Sequence, residues 1–217
     1  MHGGAYYSSI AYQHWDFITE LIRKTGATVV VPLYPLLPNS SAIDAHGMIK
    51  EVYKILLHKV SADSIILMGD SAGGGFSLAF AQQLHKDGVP QPAQIIMLSP
   101  WLDVTDSNPE IQSLRKKDPW IPIELKEYGR LWANKLDTKD PLVSPIYGSF
   151  KGLGKISMFI GGHEILLADA KKFKKMMDQQ SIGINYFEYP TMFHDWALVT
   201  GLKEARKVME QIIALIK

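Results

Sequence analysis

Cysteine is absent from the 217 residues, which excludes disulfide scaffolds, thiolate zinc sites, iron–sulfur clusters and a cysteine nucleophile. Excess charge of either sign is absent too. The chain has 23 basic residues against 22 acidic, a net charge of +1, so it lacks the dense basic surface that nucleic-acid binding needs. No apolar run approaches the roughly 18 residues of a membrane span. Met1 is followed at once by His2-Gly3-Gly4, with neither the basic nor the apolar region of a secretory signal peptide, and a cytoplasmic protein is expected. No histidine–carboxylate cluster has metal-ligand spacing, so neither a metal nor a cofactor is expected. What remains is 47% hydrophobic residues, 10% aromatic and 21% charged, enough apolar material for one sizeable core.

Short β-branched runs alternate with longer helical patterns. Ala27–Leu33, Ser64–Met68, Ala93–Leu98, Lys155–Ile160 and Ile184–Glu188 read as strands. All but the last are nearly continuous apolar runs, as in strands covered on both faces. Helical spacing predicts helices over Ser9–Thr25, Ser41–Lys59, Ala72–His85 and the C-terminal stretch from Leu202 to Ile216. The alternation predicts an α/β fold, a mostly parallel central sheet with helices on both faces. The whole chain, 1–217, reads as a single domain. One region breaks the rhythm: Trp101–Gly154 carries Pro109, Pro119, Pro122, Pro141 and Pro145 and one helical pattern near Ile123–Leu136, with no clear strand. A long strandless insertion between two strands is expected to be functional, and 101–154 reads as a cap.

The strongest chemical signal is Gly69-Asp70-Ser71-Ala72-Gly73, placed between a strand and a helix. A sharp strand-to-helix turn needs small neighbours and exposes the serine hydroxyl at a helix N-terminus. Such a hydroxyl needs a base. Of seven histidines, His14, His46, His58 and His85 fall in helical patterns and read as surface or packing residues. His194 follows the last strand in a loop, and open α/β sheets place reacting groups at the carboxyl ends of their strands. In this kind of fold the acid precedes the histidine in chain order. Glu164, just after the strand Lys155–Ile160, is the candidate. Asp169 lies further along the helix and reads as a capping or pairing residue, and Asp195 adjoins His194 too closely for side-on contact. Gly3, Gly4 and Ala5 offer backbone N–H groups that can approach a ligand, and Ala72 N–H follows the serine; together they are candidate donors to an oxyanion. Trp101, Trp120, Ile121, Tyr128 and Trp132 are candidates to line a substrate pocket.

With these residues in place the chain resembles the hormone-sensitive-lipase-like carboxylesterases among the α/β-hydrolases. The resemblance spans the chain and rests on His2-Gly3-Gly4, the GDSAGG elbow at 69–74, Ser99-Pro100-Trp101-Leu102-Asp103, Pro141–Pro145, Gly162–Leu166 and Phe193-His194. It implies an esterase with Ser71 as nucleophile, Glu164 as acid, His194 as base and Asp70 in a supporting structural role. It also implies strands upstream of the His-Gly-Gly loop, one of them inside the sheet. That loop here starts at residue 2, so the chain reads as N-terminally truncated, with an unanchored loop and unpaired strand edges expected.

The function expected is hydrolysis of small carboxylic esters through an acyl-enzyme, with a small-molecule ester as the partner, no nucleic acid and no membrane span. The resemblance implies a homodimer. The alternatives are an amide or acetyl-group hydrolase or a peptidase of the same fold, and an inactive truncated paralogue acting by binding.

Overall fold

A computed structural model describes residues 1–118, 120–121 and 125–216. Pro119, Pro122 and the expected helix start at Ile123 lie outside the described residues. Four strands, Ile66–Asp70 (β1), Gln94–Leu98 (β2), Lys155–His163 (β3) and Ile184–Phe193 (β4), form an all-parallel sheet in the order β1-β2-β3-β4. Parallel neighbours need crossovers long enough to hold a helix. Ser71–Lys86 (α3) joins β1 to β2, and Leu167–Gln179 (α6) joins β3 to β4. Between β2 and β3 run the short helices Ile111–Arg115 (α4) and Leu125–Ala133 (α5). Tyr12–Thr25 (α1) and Ala42–Leu57 (α2) precede the sheet, and Lys203–Ile216 (α7) closes the chain.

The near-continuous apolar strands are explained by cover on both faces. In β2, Ile95 and Met97 join one core with Tyr53 of α2, Phe80 of α3 and Phe173 of α6. Ile96 and Leu98, pointing the opposite way, join a second core with Phe17 and Leu21 of α1 and Val208, Met209 and Ile212 of α7. Each side chain of this size contributes about 1.5–3 kcal/mol when fully buried. The helix ends follow local chemistry. Gly26 stops α1 in the left-handed conformation (φ 69°) with its N–H on the Ile22 carbonyl, and the Asp44 carboxylate caps the Ser41 N–H at the start of α2 at 2.8 Å.

The run Ala27–Leu33 is not a strand. It is extended and apolar, but the outer edge of β1 lies across a cleft of about 630 Å³ whose walls include Phe17, Leu21, Val52 and Leu56. The run is not hydrogen-bonded into the sheet, of which β1 is the edge strand. Val30 and Leu33 are left exposed as a result. The cleft lies beside the edge of the sheet, and none of Ser71, Glu164 and His194 lines it. No described helix is long and apolar enough to cross a membrane.

Helix α3 is pressed against the turn after β2, where a Cβ at Gly75 would collide with the Trp101 carbonyl. Gly75→Ala must therefore push the helix off that turn. It is expected to destabilise the fold by about 1–3 kcal/mol, read as a lower urea midpoint, and an unchanged midpoint would contradict this packing.

Candidate active site

β1 ends at Asp70 and α3 begins at Ser71, with no residue between them. So abrupt a turn leaves Ser71 in the left-handed region, φ 49°, a conformation that non-glycine residues adopt only when the surroundings hold them there. The Trp101 N–H supports the turn by donating to the Ser71 carbonyl at 2.8 Å. Small neighbours are required for contact: a Cβ on Gly73 would strike the backbone of Met1 and His2. The hydroxyl thus sits at the positive end of α3, among N–H groups that have no intrahelical acceptor.

His194, immediately after β4, turns its ring between two partners. Nδ1–H donates to Glu164 Oε2 at 2.7 Å, and Nε2 lies 3.0 Å from Ser71 Oγ. A carboxylate only accepts, so Glu164 fixes the proton on Nδ1 and leaves the Nε2 lone pair to accept the serine O–H. Glu164 is completely buried. Its other oxygen accepts from Ser99 Oγ at 2.8 Å and from the Gly161 N–H at 2.6 Å. Asp169 lies elsewhere, accepting from Asn108 Nδ2 at 2.9 Å, and burial pushes its carboxyl up to about 6. Burial disfavours the His194 imidazolium, but the carboxylates of Asp195 and Glu164 outweigh it and raise the group well above the usual histidine range.

The loop 2–5, expected to be unanchored, is held from several sides. The His2 ring stacks on Tyr34 at 4.6 Å, and Tyr34 O–H donates to the His2 carbonyl at 2.6 Å. Asp70 Oδ2 accepts both the Gly3 N–H at 3.0 Å and His14 Nε2–H at 3.1 Å. Of the four candidate oxyanion donors, Gly3 therefore differs from the others, because its N–H is already used. Gly4 and Ala5 have positive φ, 108° and 53°, and no acceptor for their N–H groups is found among the described residues. Ala72 lies in the first turn of α3, where N–H groups have no intrahelical partner. His14, which its helical spacing assigns to surface or packing, is thus the outer clamp of the loop. Burial lowers its affinity for a proton, but the hydrogen bond to Asp70 reverses this and raises it overall. Nothing in its spacing along α1 signals that contact.

Trp101 and Trp132, expected to line a pocket, belong to the core. Both are buried and flank Tyr6, Trp132 stacking at 4.1 Å and Trp101 at 5.7 Å. Large aromatic side chains so close to the sheet gain more from packing than a pocket wall would offer. Trp120, by contrast, is exposed and lies 5.6 Å from the Phe193 ring, next to His194. Tyr128 is partly buried and lies 5.5 Å from Tyr7. Among the described residues no group of three or more His, Asp or Glu is arranged to hold a metal ion.

The sequence model of a family described as alpha/beta hydrolase fold matches residues 1–198. A triacylglycerol lipase of Mycobacterium tuberculosis is 32% identical over 98% of this chain, which spans 45% of that protein. An esterase of Acinetobacter venetianus is 28% identical over 98% of the chain and 71% of its own length. The solved structure of a hormone-sensitive lipase from a metagenome library superposes with a TM-score of 0.93 at 31% identity, covering 99% of this chain and 73% of that one. By sequence and by fold, the chain belongs to the α/β-hydrolase family.

Proposed function

We propose that the protein hydrolyses small carboxylic esters, with Ser71 as nucleophile, His194 as general base and acid, and Glu164 as the carboxylate that orients it. The observation that carries this reading is the continuous relay from Glu164 Oε2 through His194 to Ser71 Oγ, at 2.7 and 3.0 Å. The names of the relatives, lipase and esterase, support the choice of an ester.

Ser71 Oγ attacks the ester carbonyl while Nε2 of His194 takes its proton. The carbonyl oxygen becomes an oxyanion facing the N–H groups of Gly4, Ala5 and Ala72, donors that need no reorganisation as charge develops. Collapse of the tetrahedral adduct breaks the C–O bond. The imidazolium gives its proton to the departing alkoxide, leaving an acyl-serine and an alcohol. Water then attacks the acyl carbon, with His194 again removing the proton and returning it to Ser71 Oγ, and the carboxylic acid departs. Glu164 holds Nδ1–H and stabilises the imidazolium without accepting its proton.

The segment 101–154 serves in this reading as a cap on the substrate side. Asp118 supports it: Oδ1 accepts the N–H groups of Trp120 and Ile121, and Oδ2 accepts the N–H of Ile165, next to Glu164. This reading assigns Trp120 and Phe193, whose rings lie 5.6 Å apart beside His194, to contact with an acyl or alcohol group.

Hydrolysis of p-nitrophenyl acetate, butyrate and octanoate tests the reading. The protein is expected to turn over the shorter esters, Ser71→Ala and His194→Ala to lose on the order of 10⁴–10⁶ in kcat, and Glu164→Gln to lose about 10⁴ by stabilising the wrong tautomer. Equal rates for the protein and Ser71→Ala would overturn it. A second expectation concerns the loop: Asp70→Ala leaves the Gly3 N–H without an acceptor and frees the loop from α1. The variant is expected to lose about 10–100-fold in kcat/KM, the equivalent of a buried hydrogen bond worth about 1–3 kcal/mol, with its melting curve still cooperative. Full activity in Asp70→Ala would mean that the loop is positioned by other contacts.

A further inference from the structure

Asp195 is a carboxylate in contact with the site that the relay does not use, its side chain 23% exposed. It adopts the left-handed conformation, φ 56°, which turns its side chain back over the imidazole it follows. Its Oδ2 lies 3.2 Å from His194 Nε2, the same nitrogen that faces Ser71 Oγ at 3.0 Å. The residue is pinned there, since its N–H donates to Ser99 Oγ at 3.3 Å and Ser99 Oγ in turn donates to Glu164. Oδ1 is buried and has no hydrogen-bond partner among the described residues. The ionisable groups around it are His194 itself, Glu164 at the end of β3, Asp70 at the end of β1 and His14 on α1.

An ionised carboxylate 3.2 Å from Nε2 attracts the positive charge of an imidazolium and so favours the protonated ring. If the proton is on Nε2, His194 is an imidazolium and cannot take the serine proton. The base is blocked until that proton leaves. We propose that Asp195 is a positioning residue that sets the lower pH limit of the reaction, by keeping a proton on His194 Nε2 that must be lost before Ser71 can be activated. This rests on the reading of Ser71 and His194 given above. The surroundings act in the same direction. Burial, together with the negative charges of Asp70 and Glu164, pushes the Asp195 carboxyl up to about 6 against the opposing pull of His194.

The test is the pH profile of kcat/KM for p-nitrophenyl acetate, read at the isosbestic wavelength of p-nitrophenol, for the protein, Asp195→Asn and Asp195→Gly. Both replacements tolerate a left-handed backbone. The acid limb of kcat/KM reports the free enzyme's base. Without the carboxylate His194 loses its proton at lower pH, so the midpoint is expected to move down by about one unit in both variants. One unit below the unsubstituted midpoint they should then be about fivefold faster than the protein itself. A purely structural role for Asp195 would lower the plateau and leave the midpoint in place, and an unmoved midpoint overturns the proposal. Independently of any variant, an NMR titration of His194 in the unsubstituted protein should show its proton lost above the ordinary value of about 6.5; loss at or below that value also overturns it. Absence of hydrolysis by the unsubstituted protein at every pH would instead remove the reading of the site, and this proposal with it.

Discussion

The site depends on the burial of one negative charge. Glu164 has no exposure to solvent, and an ionised carboxylate taken out of water is tolerated only when its oxygens are engaged. Three groups from three parts of the fold engage them: the Ser99 hydroxyl after β2, the Gly161 N–H within β3 and Nδ1–H of His194 after β4. Moving any of these strands would leave the charge uncompensated. The sheet register and the histidine tautomer are therefore enforced by the same interaction, and Ser71 meets an imidazole whose free nitrogen is already chosen for it.

Around this charge the backbone is strained where it is useful. Among the described residues, five of the eight non-glycine positions with positive φ, Ala5, Tyr6, Ser71, Ser99 and Asp195, lie in the turns that converge on Ser71. Each costs of order 1–3 kcal/mol, so each needs support from its neighbours. Trp132 and Trp101 clamp Tyr6, the Trp101 N–H holds Ser71, and the Phe159 carbonyl receives the Ser99 N–H at 2.8 Å. The aromatic core between α3, α5 and the loop at 2–6 is thus part of what keeps the site in shape.

Much of this was legible in the sequence. The strands betray themselves by apolar continuity because helices cover both faces, and Ser71, Glu164 and His194 could be placed near one another because each stands just beyond the carboxyl end of a parallel strand. Chain adjacency argues against contact between Asp195 and the His194 ring, yet Oδ2 lies 3.2 Å from Nε2, a contact that depends on a left-handed turn. His14 and Ser99 were silent for a related reason: their partners are 56 and 65 residues away, and neither periodicity nor composition records such a pairing. Ala27–Leu33 has the composition of a strand but no adjacent backbone to pair with, a condition no local signal encodes. Trp101 and Trp132 show the converse limit, since an aromatic residue in an insertion reads alike whether it faces a pocket or the core.

The central claim is that the relay from Glu164 to His194 makes Ser71 a nucleophile in this chain. The most direct measurement is intact-mass labelling with a fluorophosphonate followed by peptide mapping, because such a reagent modifies a serine only where a base and an oxyanion site are assembled. The account predicts one stoichiometric adduct, on Ser71, that is lost in His194→Ala. No adduct, or an adduct on another residue that survives His194→Ala, would contradict it.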